Sequence, residues 1–254
     1  MSLKKTGLLL IVLILLLIAS WHLGLDVSQI FAGGSNALVL FSEMLPPDRA
    51  VIRVGLASLL ETIEIAFVGT TLGAMFSLPL ALLAARNINP PGVSLVFVFL
   101  LAAFRTIPSL LWAIFFVILV GLGPLAGVLS IIFYTIGYLA KLQTEAIEAI
   151  PSDTQEVLAA MGASKIQILR FAVLPEVAHA LWSHILFLFE YNVRNSSLLG
   201  LVGAGGIGFY IMGYLRLLEY DKVLTLLLLV FGAVLLIDAI GTKIRRHFLQ
   251  KNTP

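Results

Sequence analysis

The sequence contains no cysteine, and only 12% of its 254 residues are charged. The first absence excludes disulfides, thiolate metal sites and a cysteine nucleophile. The second excludes an ordinary soluble domain, which carries about 25% charged residues. A net charge of +2 is too small to point to nucleic acid, so the basic residues read as topology signals. Neither a His-Glu-x-x-His run nor a serine–histidine–aspartate constellation is present, which leaves no metal site and no catalytic centre to argue from.

What the chain has in quantity is apolar sequence. Hydrophobic residues make up 60%, and the mean hydropathy is +1.06. Only a helix satisfies its own backbone in hydrocarbon, and spanning a bilayer takes about 20 apolar residues. The fold class expected is all-α: a polytopic membrane bundle of about six helices, with five as the nearest alternative. Residues 7–23 read as an uncleaved anchor, since Ile18-Ala19-Ser20 makes a poor signal-peptidase site. Residues 24–52 are polar, carry Pro46-Pro47 and read as an external loop. Residues 56–85 form the second span. Arg105 and Pro108 divide residues 93–120 into two pieces, each too short to cross, so the stretch reads as one long helix kinked at Pro108. The turn Gly121-Leu122-Gly123-Pro124 leads into 125–140, and the last spans are 177–199 and 223–242. Two regions follow, an anchor and loop over 1–52 and a transmembrane domain over 53–250.

The charges orient this arrangement. With the N-terminus inside, the inner loops collect Lys4, Lys5, Arg86, Lys141, Lys165, Arg170, Lys243, Arg245, Arg246 and Lys251, and the outer loops only Arg49, Arg53, Arg216 and Lys222. That bias obeys the positive-inside rule and puts both termini in the cytoplasm. The same side receives residues 142–175, the one long polar and amphipathic interruption of the chain. Residues 145–149 favour helix, and Pro151 ends it. Ser152-Asp153-Thr154-Gln155 has the pattern of a capping box, the next helix runs to Met161, and Gly162 supplies a left-handed stop. Ser164-Lys165-Ile166-Gln167 is a second capping box, opening a helix expected to end before Pro175. The predicted unit is a rigid knob.

Its spacing resembles the EAA loop of ATP-binding-cassette (ABC) importer permeases: Glu-Ala-Ala, three residues, Gly, nine residues, Ile-x-Leu-Pro. Glu156, Gly162, Leu174 and Pro175 fall in register, while Val157, Leu158 and Ala172 depart from the pattern. The resemblance implies a type I ABC importer permease fold, and assigns Glu156, Gly162, Ala163, Ser164, Leu174 and Pro175 to coupling with a cytoplasmic ATPase. Over residues 56–250 the chain is similar to the phosphonate transporter permeases. That likeness is carried by Arg105-Thr106-Ile107-Pro108, the turn at 121–124, Phe189-Glu190-Tyr191-Asn192-Val193-Arg194, and Val202-Gly203-Ala204-Gly205-Gly206-Ile207-Gly208. Phosphite and hypophosphite permeases look similar, so the phosphorus oxyanion stays open. The resemblance implies a prokaryotic inner-membrane homodimer with two ATPase subunits and an external solute-binding protein, working by alternating access.

The glycine run satisfies the dinucleotide spacing G-x-G-x-x-G, but no strand precedes it and no βαβ unit surrounds it. Phe209-Tyr210 stand where a P-loop needs Lys and Ser/Thr. The chain is therefore expected to bind no cofactor itself, with ATP and Mg on the partner ATPase. Gly203, Gly205, Gly206 and Gly208 read as a tight bend or close helix approach, or as a re-entrant segment lining an outer cavity.

Charges inside spans are costly and mark either pathways or internal pairs. Glu190 and Arg194 stand i,i+4, so mutual neutralisation and a functional role are both open. Arg194 lies roughly 26 Å along the helix from Val177, near the outer side, with Asn192, Asn195 and Ser196 beside it. Arg105 lies about 18 Å from Val93. These five are the candidate pathway residues, the guanidinium groups being suited to bidentate contact with an oxyanion. Arg105 has the alternative of capping carbonyls freed at Pro108. His179 and His184, five apart, read as satisfied interior histidines. Two other functions compete: a permease for another small solute, and an ion-coupled secondary transporter, which needs no docking loop.

Overall fold

The computed structural model describes residues 3–250, which form helices and turns with no strand among them. They fall into two compact units, Met1–Pro46 and Pro47–Pro254. The first contains α1 (Leu3–His22) and α2 (Val27–Met44). Helix α2 corrects the expectation of a loop over 24–52. Asp26 caps it from an extended backbone, accepting the Ser28 hydroxyl at 2.6 Å and the Ser28 N–H at 2.8 Å. Those two bonds hold the Asp26 carboxyl below its ordinary range. The polar residues and Gly33-Gly34 mask a segment that is proline-free from Asp26 to Leu45.

The second unit opens with a 3-10 turn (Arg49–Val51) and α3 (Ile52–Ala84). It continues through α4 (Pro91–Thr106), α5 (Ser109–Val120), α6 (Pro124–Glu148), α7 (Ser152–Ala160) and α8 (Lys165–Ile168). A π turn (Leu169–Val173), α9 (Leu174–Leu199), a second 3-10 turn (Gly200–Val202), α10 (Ile207–Arg216) and α11 (Tyr220–Gln250) complete it. Four stretches are long and apolar enough to cross a membrane: Arg49–Ala84, Pro124–Glu148, Lys165–Val202 and Tyr220–Arg245. Helices α4 and α5 make a fifth when counted as one span, and Thr6–His22 is a shorter apolar helix.

Residues 91–120 are not one kinked helix. Helices α4 and α5 meet at 84°. The Pro108 ring drives the preceding residue out of the helical region, and Ile107 is extended at φ −87°, ψ 117°. Pro108 is extended too, and serves as the cap of α5. With two consecutive residues out of the helix the chain turns a corner instead of bending.

Helices α3 and α6 form the spine, and they run parallel. Gly69 lies against Ile131, Gly73 against Thr135, Ser77 against Gln143 and Ala81 against Thr144. A Cβ on Gly69 would stand 2.5 Å from Ile131, and one on Gly73 2.6 Å from Thr135. The bare glycine backbone is what lets the two axes approach this closely. Polar groups along α3 are satisfied locally: the hydroxyls of Ser58, Thr62 and Ser77 donate to carbonyls of their own helix at 3.1, 2.9 and 2.9 Å. Helix α5 packs on α6 through aromatics, with Trp112 and Phe116 ring centroids 4.9 and 5.1 Å from that of Phe133. Large apolar side chains such as Phe76, Leu95, Phe99, Ile118 and Leu236 are exposed on the outside of these helices, as a bilayer-facing surface requires.

Candidate coupling and pathway sites

The knob forms between α6 and α9, with one change at its start. Pro151 already has the extended backbone of a cap, so Ser152 is the first helical residue and not the N-cap that the first capping box required. The glycine turn is as expected. Gly162 has φ +84°, its N–H reaches the Ala159 carbonyl and the Ala163 N–H the Leu158 carbonyl, both at 3.0 Å. That pair of bonds is a Schellman motif, which closes the C-terminus of α7 rigidly. The second capping box is present: the Ser164 N–H donates to Gln167 Oε1 at 2.7 Å, and the Gln167 N–H to Ser164 Oγ at 3.4 Å.

The exit from the knob differs from expectation. The helix does not end before Pro175. It passes through the π turn straight into α9, and Pro175 sits in the first turn of that helix. Proline lacks an N–H and clashes with the carbonyl four residues back. The wider turn, in which the Leu174 N–H bonds the Leu169 carbonyl, accommodates it. Glu156 and Lys165 line a cavity of about 310 Å³ with Asn87, Ile88, Ile168 and Val173, so the knob packs on the α3–α4 connection. Its other side is a groove of about 300 Å³ lined by Leu158, Met161, Gly162, Ala163, Gln167 and Phe171. Met161 is 78% exposed, Ile166 77% and Phe171 67%. Apolar groups this exposed on a polar segment mark a contact surface.

The structure does not gather the five candidate pathway residues into one cavity. Asn192 is fully buried and donates to Thr70 Oγ1 and Thr135 Oγ1, each at 2.8 Å, tying α9 to both helices of the spine. Asn195 accepts from Ser109 Oγ at 2.9 Å, which fastens α9 to the start of α5. Ser196 is buried nearby in the chain, and Asn192 Oδ1, Asn195 Nδ2 and Ser196 Oγ have no partner among the described residues. Thr70, Thr135 and Ser109 are the partners that sequence reasoning missed. Thr70 follows Gly69 directly in a Gly-x-x-x-Gly run, a signal that was legible.

Glu190 does not neutralise Arg194. Glu190 is buried and pairs with Arg245 of α11, whose Nη2 is 3.1 Å from Oε1 and 3.2 Å from Oε2. Gly241 makes the room, since a Cβ there would run into the Glu190 carboxylate. Arg194, half exposed, points to Asp238 of α11 at 4.0 Å. Contact with a neighbouring helix has overridden the local i,i+4 spacing. Replacing Glu190 by Gln is expected to lower stability by about 1–3 kcal/mol, the value of a buried charge-assisted bond, read as a lower thermal midpoint of the purified protein. Arg245→Gln in the same background should add little if the two groups are one unit.

Arg105 stands apart from Arg194. Its backbone packs against Gly137, near the middle of α6, and its side chain lines a cavity with Arg86, Lys141, Thr144 and Glu148. Among the described residues it makes no bond to carbonyls at the Pro108 corner, so it does not cap them. His179 is exposed, which corrects its reading as interior, and His184 Nδ1 is buried with no hydrogen-bond partner among the described residues, which corrects the reading of that ring as satisfied. No cluster of three metal-ligating side chains occurs among the described residues.

The glycine run is a corner that pins three helices. Gly203, Gly205 and Gly206 have φ of +87°, +80° and +75°. The Gly203 carbonyl accepts the Gly123 N–H at 2.9 Å, and the Ile207 N–H donates to Thr62 Oγ1 at 2.8 Å. Gly208 abuts the Ser197 carbonyl and Gly200, leaving no space for a Cβ. The bend thus fastens the end of α9 to the beginnings of α3 and α6.

Residues 77–250, from the last two turns of α3 through the knob to α11, match the family described as the binding-protein-dependent transport system inner membrane component. The chain belongs to this family. It is an ABC transporter permease subunit and not an enzyme, hydrolysis residing on a separate ATPase. A relative of this permease, the phosphite transport system permease protein of Stutzerimonas stutzeri, is 38% identical over 247 residues, 96% of this chain and 90% of that one. The phosphate-import permease protein of Mycolicibacterium smegmatis is 35% identical over 212 residues, 83% of this chain and 40% of that longer protein. Among solved structures, a chain of the MetNI methionine ABC transporter in an inward-facing conformation superposes with a TM-score of 0.69 at 27% identity, over 79% of this chain and 99% of that one. The architecture is that of a type I ABC importer permease.

Proposed function

We propose that this permease imports a small phosphorus oxyanion, phosphite or a phosphonate, as a homodimer with two ATPase subunits and an external solute-binding protein. The observation that carries the coupling half of this reading is the knob over Ser152–Val173, capped at its glycine turn and continuous with α9. A stiff element can convert closure of an ATPase dimer into movement of a helix; a loose loop cannot. Glu156, Gly162, Ala163, Ser164, Leu174 and Pro175 are its coupling residues, and ATP with Mg belongs to the ATPase. A cytoplasmic position of the knob and both termini is supported by the charge bias. The oxyanion half is supported by relatives named for phosphite and phosphate import.

Movement of α9 by the knob turns its polar face. Arg194 is the exposed charged group of this stretch, and the unpartnered atoms of Asn192, Asn195 and Ser196 lie within two residues of it on the buried side of the same helix. The glycine corner over Gly203, Gly205, Gly206 and Gly208 is the fixed end against which α9 works. Arg194→Ala should lower uptake about tenfold or more, the worth of one charge-assisted contact, while the permease still co-purifies with its ATPase. Unchanged uptake removes Arg194 from the path. The whole reading is tested in proteoliposomes holding permease, ATPase and binding protein, with phosphite, phosphonate and phosphate supplied in parallel. Loaded binding protein should stimulate ATP hydrolysis; uptake driven by an ion gradient without ATP would overturn the assignment.

A further inference from the structure

We propose that the cavity between α4 and α6 is a phosphate-group site on the knob side of the bundle, with Arg105, Arg86 and Lys141 as its cationic ligands. The cavity holds about 100 Å³, which suits a tetrahedral oxyanion and is too small for an organic ligand of ordinary size. Its walls are contributed by the second half of α4, the end of α3 with its connection, and the C-terminal third of α6.

The charges there are not balanced by the protein. Three cations meet two carboxylates, Glu145, which pairs with Lys141, and Glu148, whose Oε1 already accepts the Arg86 backbone N–H at 2.9 Å, so one positive charge is in excess. Lys141 is held by Glu145 at 3.0 Å, an exposed pair that keeps the ammonium at the rim. The Thr144 hydroxyl donates to the Ala140 carbonyl at 2.7 Å and is free to accept. The guanidinium groups of Arg86 and Arg105 have no ion pair and no hydrogen bond among the described residues.

Depth makes Arg105 the telling residue. Its backbone lies beside Gly137, midway along α6, with Val98, Leu101 and Ala102 as neighbours in the cavity wall. A lone guanidinium at that depth is expensive, and long basic side chains relieve the cost by extending toward the interface. Arg105 extends toward Lys141, Thr144 and Glu148, and so into a cavity that already carries two other cations. Glu148 and Glu145 offset two of the three cations, and a bound anion would balance the third. The planar fork of Arg105 suits bidentate contact with a phosphate oxygen pair, and Arg86 and Lys141 neutralise the remainder.

Two sources supply this chemistry: an acidic phospholipid headgroup from the leaflet on the knob side, or a free oxyanion from the aqueous phase there. The site does not depend on which solute the permease carries, and it lies away from Arg194. The test uses the purified permease–ATPase complex. One arm titrates phosphatidylglycerol into phosphatidylcholine nanodiscs and counts retained lipid by native mass spectrometry. The other titrates inorganic phosphate against chloride at constant ionic strength and follows the thermal midpoint. Saturable binding of one titrant at one per permease is expected, with Arg105→Gln weakening it about tenfold or more and Arg86→Gln weakening it less. Retention of phosphatidylglycerol identifies a lipid headgroup, and a response to phosphate alone identifies the free anion. Binding of neither above its control, or equal affinity in wild type and both variants, overturns the site. Arg86 lies in an exposed connection, so that variant reports even if Arg105→Gln folds poorly. Binding retained while uptake fails separates this site from the transport reading.

Discussion

Gly73→Leu is expected to leave almost no folded permease in the membrane. A Cβ at this position already stands 2.6 Å from Thr135 Cβ and 3.2 Å from the Ile132 carbonyl. The carbonyl belongs to the α6 backbone and cannot rotate away, so the spine has to open. Overpacking alone costs about 1–3 kcal/mol, but the losses do not stop there. Separation of α3 from α6 breaks Ser77–Gln143 and Thr144–Ala81, and Asn192, which bridges the two helices, loses at least one of its threonines. Each buried polar group left alone adds about 1–3 kcal/mol. Together these approach the whole stability of a domain, about 5–15 kcal/mol. Gly232→Leu on α11 is the control, because nothing lies within 4 Å of a Cβ there; it should stay within about 0.5 kcal/mol of wild type. Size-exclusion yield after extraction and thermal midpoints read both. Equal behaviour of the two variants would refute the close seam.

Gly162→Pro should abolish transport with the bundle intact. The residue has φ +84°, whereas proline is held near −65°, and the substitution also removes the N–H that reaches the Ala159 carbonyl. The Schellman closure of α7 cannot form, and α7 and α8 lose their fixed angle. Gly162→Ala meets no neighbour and bears only the left-handed cost, about 1–2 kcal/mol, so an intermediate coupling defect is expected. Because Gly162 touches nothing outside the knob, the thermal midpoint of the permease should not move in either variant. Uptake falling to background together with loss of ATPase co-purification or of ATPase stimulation is the expected pattern. Normal association and transport in Gly162→Pro would show that the knob is not the coupling element.

Features written in short windows were legible in the sequence. The apolar runs gave the helices of the spine, and Gly162 with Ser164-x-x-Gln167 gave the turn and the box, because caps depend on residues within a few positions of each other. Helix α2 was hidden because its only strong signal is Asp26, and polar residues with two glycines lower helix propensity without preventing a helix. The corner at Ile107-Pro108 was underestimated, since proline in a window cannot tell a kink from a break; the distinction lies in ψ of Ile107. Charge pairing was the least legible. Glu190 and Arg194 are four apart in sequence, yet the partner of Glu190 is 55 residues away, chosen by which helix packs on α9. The same holds for Asn192, whose partners lie 122 and 57 residues back.

The parallel course of α3 and α6 has a consequence for how the protein is made. Parallel neighbours cannot close as a hairpin on emergence, and the contact between Arg86 and Glu148 spans 62 residues. At about 5–20 residues per second of synthesis, α3 waits for α6 for about 3–12 s. During that interval its small-residue face meets lipid, or the insertion machinery, in place of its partner. The hydroxyls of Ser58, Thr62 and Ser77 bond their own helix, so the waiting face presents few unsatisfied groups. Thr62 and Ser77, which also meet Ile207 and Gln143, are thus side chains that can be left alone first and shared later.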